Sequence, residues 1–195
     1  MASLFQNVKA DAFRQGITPR TRAATAWFRK KAQTLRPARR ELLQDDEVRL
    51  RNRTAIGKMY MYFYDPKTKD TLPYYDRFPL TIIVDPAPNG FYGLNLHYLP
   101  VPLRARLLDG LMDTLNNEKY DETTRFRLSY SMLSSASKLT AFKPCFKRYL
   151  SGHVRSRFAL VDPSDWEIAT FLPTADFAKA SISRVYRDSR RIIRG

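Results

Sequence analysis

Asp65, Asp70, Asp76 and Asp85 crowd one short stretch, together with seven aromatic rings: Tyr60, Tyr62, Phe63, Tyr64, Tyr74, Tyr75 and Phe78. Carboxylates gathered at strand ends can hold a divalent metal for phosphodiester cleavage, so Asp65, Asp70 and Asp76 define a metal-dependent nuclease reading. The same acids also suit turns. Asp65-Pro66, Lys69-Asp70 and Asp85-Pro86 are turn pairs in which an aspartate accepts backbone N–H bonds, and Lys67, Lys69 and Arg77 supply counter-charges. Turn chemistry is the simpler reading. Of the two histidines, His97 falls on an expected strand and His153 on an expected helix, without the spacing of a zinc site. Cys145 has no base closer along the chain than His153, two turns away on that helix. Phosphate-loop and dinucleotide-binding glycine motifs are absent. The expectation is a non-enzyme with no catalytic residues, metal or cofactor.

The second chemistry on offer is polyanion binding. Lys and Arg number 34 against 19 Asp and Glu, a formal charge of +15. The excess sits at the ends: 13 basic against 5 acidic residues over 1–56, 10 against 9 over 57–142, and 11 against 5 over 143–195. Such asymmetry suits nucleic acid, an acidic protein or a membrane surface. Near the N-terminus Arg20, Arg22, Arg29, Lys30 and Lys31 interleave with Trp27 and Phe28, a pattern that fits nucleic acid or a solvated helix docked by its aromatics. Near the C-terminus Arg184, Arg187, Arg191 and Arg194 form a stripe beside Ile182, Val185, Tyr186 and Ile193. These nine cations are the expected contacts to DNA or partner subunits. Trp27, Tyr74 and Tyr75 are the expected interface aromatics.

The elements that must position these residues follow from periodicity. Thr18-Pro19 starts a helix that Arg36-Pro37 stops, and residues 1–56 read as a basic helical arm. From Gly57 the period becomes two. "KMYMYFY" and "LTIIVD" read as strands, and Asn89-Gly90 turns the chain into a third, "FYGLNLHYL". "VPLRARLLDGLMDTL" carries a helical stripe, a further helix falls near 121–135, and Lys143-Pro144 opens another, "CFKRYLSGHVRSR". "FALVD" and "EIATFL" read as two more strands before the helix of 181–195. The sum is α+β: a small antiparallel, partly open SH3-like barrel with inserted helices over 57–180, between basic arms. With no signal peptide and no membrane span, the chain reads as soluble and cytoplasmic, or carried in an assembly made there.

The segments "YDPKTKDTLPYYDRFPL", "NGFYGLNLHYLP" and "DWEIATFLPT", in this order, resemble a small virion-associated family of T-even-type tailed phages and their cyanophage relatives, labelled DNA end protector or structural protein. The resemblance covers roughly residues 57–180. It implies a non-enzymatic protein of the virion, at neck, tail or baseplate, assembled in the host cytoplasm. Its implied partners are other phage proteins in a symmetric ring, and the end of double-stranded DNA. Two readings stay open: an assembly protein whose basic termini meet neighbouring subunits, and a DNA-end protector whose termini clamp phosphates.

Overall fold

The computed structural model describes residues 3–18, 21–44, 49–115, 117–119 and 121–195, without the side chains of 115 and 126–128. Three helices come first: α1 (Leu4–Arg14), α2 (Arg22–Thr34) and α3 (Arg39–Gln44). The strands β1 (Arg49–Arg51), β2 (Met59–Met61), β3 (Tyr75–Asp76), β4 (Leu80–Ala87) and β5 (Gly90–Asn95) follow. Helices α4 (Val101–Leu115) and α5 (Glu122–Lys138) lead to β6 (Phe146–Leu150) and β7 (Phe158–Val161). The chain closes with α6 (Trp166–Phe171), β8 (Phe177–Ala178) and α7 (Ile182–Arg194).

Six strands form one antiparallel sheet in the order β1-β7-β2-β4-β5-β6, and β3 pairs with β8 as a separate ribbon. The fold is α+β, as expected. The sheet is not closed into a barrel: β1 and β6 are its two free edges. Alternation along β2 splits the interior in two. Met59 and Met61 join Ile82, Leu94 and Val161 in the main core, while Tyr60, Tyr62 and Tyr64 join Ile83, Phe91, Tyr149 and Phe158 in a smaller aromatic core. A strand was the expectation for this segment, and β2 is one, buried on both faces. Phe5, Val8, Ala32 and Leu42 from the N-terminal helices belong to the main core too.

The β4–β5 hairpin forms where Asn89-Gly90 predicts it. Asn89 takes a positive φ of 58°, and a Cβ on Gly90 would lie 1.8 Å from the Tyr149 carbonyl oxygen of β6, so only glycine fits.

Four expectations need correction. The segment after Pro144 is strand β6, not a helix, because its backbone pairs with β5 from Gly90↔Leu150 to Leu94↔Phe146. "EIATFL" lies largely in helix α6, which a short 3₁₀ turn over Pro163–Asp165 introduces. His97 is not on a strand, since β5 ends at Asn95 and Leu96–Tyr98 is a 3₁₀ turn capped by the Asn95 side chain. Helix α2 starts at Arg22, where the Thr21 side chain accepts the Ala24 N–H; Pro19 lies outside the described residues. No described helix is long and apolar enough to cross a membrane.

Candidate nucleic-acid interface

Helix α7 carries the densest outward charge. It begins at Ser181, whose side chain accepts the Arg184 N–H, and its inner side is fixed at two points. Val185 is fully buried in the main core, and the Ser189 hydroxyl donates to the Tyr98 carbonyl at 2.7 Å. A third anchor comes from α4. Buried Arg104 donates to the carbonyls of Leu99 (2.8 Å), Thr170 (3.2 Å) and His97 (3.2 Å), and to the Tyr186 hydroxyl of α7. Burial pulls the Arg104 guanidinium below its ordinary pKa, but four acceptors disperse its charge.

Beneath this anchor lies a buried polar network. The Asp76 carboxylate accepts from His97 Nδ1 at 2.7 Å, Asn95 Nδ2 at 3.0 Å, Phe78 N at 3.0 Å and Asp176 N at 3.2 Å. Thr174 Oγ1 lies 3.2 Å from His97 Nε2. Burial alone would raise Asp76, yet His97 and the other donors outweigh it and hold the carboxyl below its ordinary pKa. Burial pushes His97 down, and the nearby carboxylate offsets that only in part; its Nδ1 faces the Asp76 carboxylate and its Nε2 the Thr174 hydroxyl. The order Asp–His–Thr has the connectivity of a nucleophile relay. Here it is enclosed, with His97 and Thr174 at 0% and 1% exposure. Its role is to lock the 96–98 turn to the β3–β8 ribbon, and hence to hold Tyr98 and Arg104 where α7 docks.

The outer side of α7 presents Arg184, Arg187, Arg190, Arg191 and Arg194, all exposed. At 100° per residue they fill an arc of about 120°, opposite Val185 and Ser189, and extend about 15 Å along the axis. Arg184 lies 3.9 Å from Asp188. Among the described residues, no carboxylate pairs with the other four. Arg187, Arg190, Arg191, Arg194 and Gly195 line an open recess of about 330 Å³. Such a surface binds phosphates through forked, charge-assisted hydrogen bonds.

A sequence model of the family described as Phage T4 terminal DNA protecting protein matches residues 5–190. The chain belongs to this family. Neither a curated protein nor a solved structure matches it. The match takes in α1–α3 as well as the core, whereas the sequence resemblance began at residue 57. Within this terminal DNA protecting protein family match fall Arg184, Arg187 and Arg190, while Arg191 and Arg194 lie just past it.

The structure brings the C-terminal candidates Arg184, Arg187, Arg191 and Arg194 onto one face and adds Arg190, which the sequence reading missed although it sits in "DSRRIIR". The N-terminal candidates are not gathered in this way. Arg20 lies outside the described residues. Arg22 and Lys30 are exposed, but Arg29 pairs with Glu167 and with Asp109, and Lys31 pairs with Asp11 at 3.0 Å. Trp27 is half-buried, donates to Gln15 Oε1 at 3.1 Å and meets Phe28 edge-on. Tyr74 packs on Tyr98 and Phe177, and Tyr75 pairs with Ala178 in the ribbon. Asp76 is buried, and Asp65 meets Lys69 at 3.1 Å and Arg155 at 3.8 Å. Among the described residues no group of three or more His, Cys, Asp or Glu could hold a metal ion. Cys145 is buried, its thiol pushed up to about 12 by desolvation. Arg104 and the Asp76–His97 pair were also missed. Arg104 stands four residues before Leu108 and seven before Leu111, so helical spacing puts it on the apolar stripe of α4, and a charge in that stripe is the signal that could have found it.

Proposed function

We propose that the protein binds the terminus of double-stranded phage DNA and shields it from end-dependent nucleases, with the arginine face of α7 holding the phosphates and no bond being made or broken. The observation that carries this is the set of five exposed arginines on the side of α7 opposite its buried anchors, four of them unpaired among the described residues. The family description agrees with it. Phosphate contact by guanidinium is independent of sequence, as protection of a fixed physical feature requires. Contact with neighbouring virion subunits, in a ring at neck, tail or baseplate, draws its support from the sequence resemblance alone. Outward guanidiniums without partners favour DNA.

The test is binding of a blunt duplex as salt is varied, paired with an exonuclease digest. Contact with four or five phosphates gives a log–log slope of about −4. The bound duplex should resist digestion from its ends. A salt-insensitive affinity, or ends that remain fully digestible at saturation, would overturn the reading.

A further inference from the structure

The recess at the end of α7 has a composition that a run of ordinary phosphodiesters does not explain. Arg187, Arg190, Arg191 and Arg194 stand at i, i+3, i+4 and i+7, so each has at least two like-charged neighbours one turn away. Like-charge pairs at these spacings destabilise an isolated helix. Arg184, one turn earlier, lies 3.9 Å from Asp188; among the described residues none of the four arginines around the recess forms an ion pair, although Asp188 stands three residues before Arg191. Their charge is therefore concentrated around one open volume of about 330 Å³ rather than laid out as a track.

A matching ligand is one whose negative charge is equally concentrated. An internal phosphodiester carries a single charge shared by two free oxygens. A terminal phosphate monoester carries about −1.5 to −2 at neutral pH, on three acceptor oxygens. Three oxygens can accept forked bonds from more than one guanidinium at once. Resting on the DNA-end reading above, we infer that the Arg187–Arg190–Arg191–Arg194 recess is a site for the terminal phosphate monoester of a DNA strand. Arg184, farther back and partly neutralised, is placed for the next diester along. In this arrangement the protein distinguishes an end from the interior of a duplex by the charge of the end itself, without reading any base.

The experiment compares one blunt duplex in three forms: 5′-phosphorylated, 5′-hydroxyl, and closed at both ends by hairpin loops. The wild-type protein should bind the phosphorylated form about tenfold more tightly than the hydroxyl form, the size of one added charge-assisted hydrogen bond. The double variant Arg190→Gln/Arg194→Gln changes only exposed side chains and should bring the two ends to equal affinity. Equal wild-type affinity for phosphorylated and hydroxyl ends, with both bound, would overturn the monoester site while leaving end binding intact. A preference that survives in the double variant would overturn its location. Failure to bind any open-ended duplex would remove the DNA-end reading itself, and this inference with it.

Discussion

Helices α2 and α7 are both basic, both thirteen residues long, and both docked on the same core, yet their charges do different work. On α2, Arg29 reaches Glu167 on α6 and Asp109 on α4, and Lys31 reaches Asp11 on α1. The Arg29 guanidinium also sits 5.0 Å from the Phe171 ring centre. Those cations join helix to helix. On α7 the inward positions are neutral, Val185, Tyr186 and Ser189, and the cations all face out. A count of basic residues treats the two segments alike. Availability depends on where the acids lie, and the partners of Arg29 come from elements far along the chain.

Charge reversal sharpens this contrast most. Replacing Arg187, Arg190, Arg191 and Arg194 by Glu should lower affinity for a blunt duplex by about a thousandfold and flatten the salt slope by about 3 to 4. Reversing Arg22 and Lys30 on α2 should change affinity by no more than about threefold. An α2 variant as defective as the α7 variant would break the comparison.

Glu167→Ala tests the other half. The Arg29–Glu167 pair is largely shielded, with side chains 19% and 15% exposed, and removing the acid leaves that guanidinium with Asp109 as its remaining ion-pair partner. A loss of about 1–2 kcal/mol in unfolding free energy is expected by denaturant titration, with DNA affinity per folded molecule unchanged. A DNA-binding defect without a stability defect would show that α2 serves DNA and not the core.

How far the sequence revealed this follows the range of the forces involved. The β4–β5 hairpin was legible because Asn89-Gly90 and the period-two pattern around it are local. The amphipathic α7 was legible for the same reason. Segment 146–154 misled because Phe146, Tyr149, Leu150, His153 and Val154 happen to fit helical spacing, while the partner that makes it a strand is β5, more than fifty residues earlier. Helix α6 misled differently. Five of its six residues are buried, so no polar face marks a helical period. At the candidate site, the arginine stripe could be read directly. Of the anchors that aim it, Arg104 shows its inward face by spacing with Leu108 and Leu111, but its acceptors and the Asp76–His97 pairing could not be read, because they are brought together only by tertiary packing.

Tyr186→Phe probes one of those anchors. The Tyr186 hydroxyl accepts from Arg104, and its loss leaves that guanidinium with three backbone carbonyls. A cost of about 1 kcal/mol in stability is expected. If the anchor orients α7, DNA affinity should fall slightly as well. A stability loss with no affinity change would confine Tyr186 to packing.

The smallest expected effect is on pH dependence, and it belongs to the buried Asp76–His97 network. Burial lowers His97 in the folded protein from its ordinary 6.5, so below about pH 6.5 the unfolded chain takes up a proton that the fold resists. That contribution to stability is present above 6.5 and is lost as the pH falls through that region. Asp76, held below its ordinary 3.8, contributes stability that persists to lower pH and is lost only as the pH falls below that value. Thermal unfolding between about pH 7.5 and 5.5 should therefore show a shallow decline, and His97→Gln should flatten it while lowering stability throughout. An unchanged slope in His97→Gln would mean that the decline arises elsewhere and that His97 shares its proton state between the folded and unfolded chains.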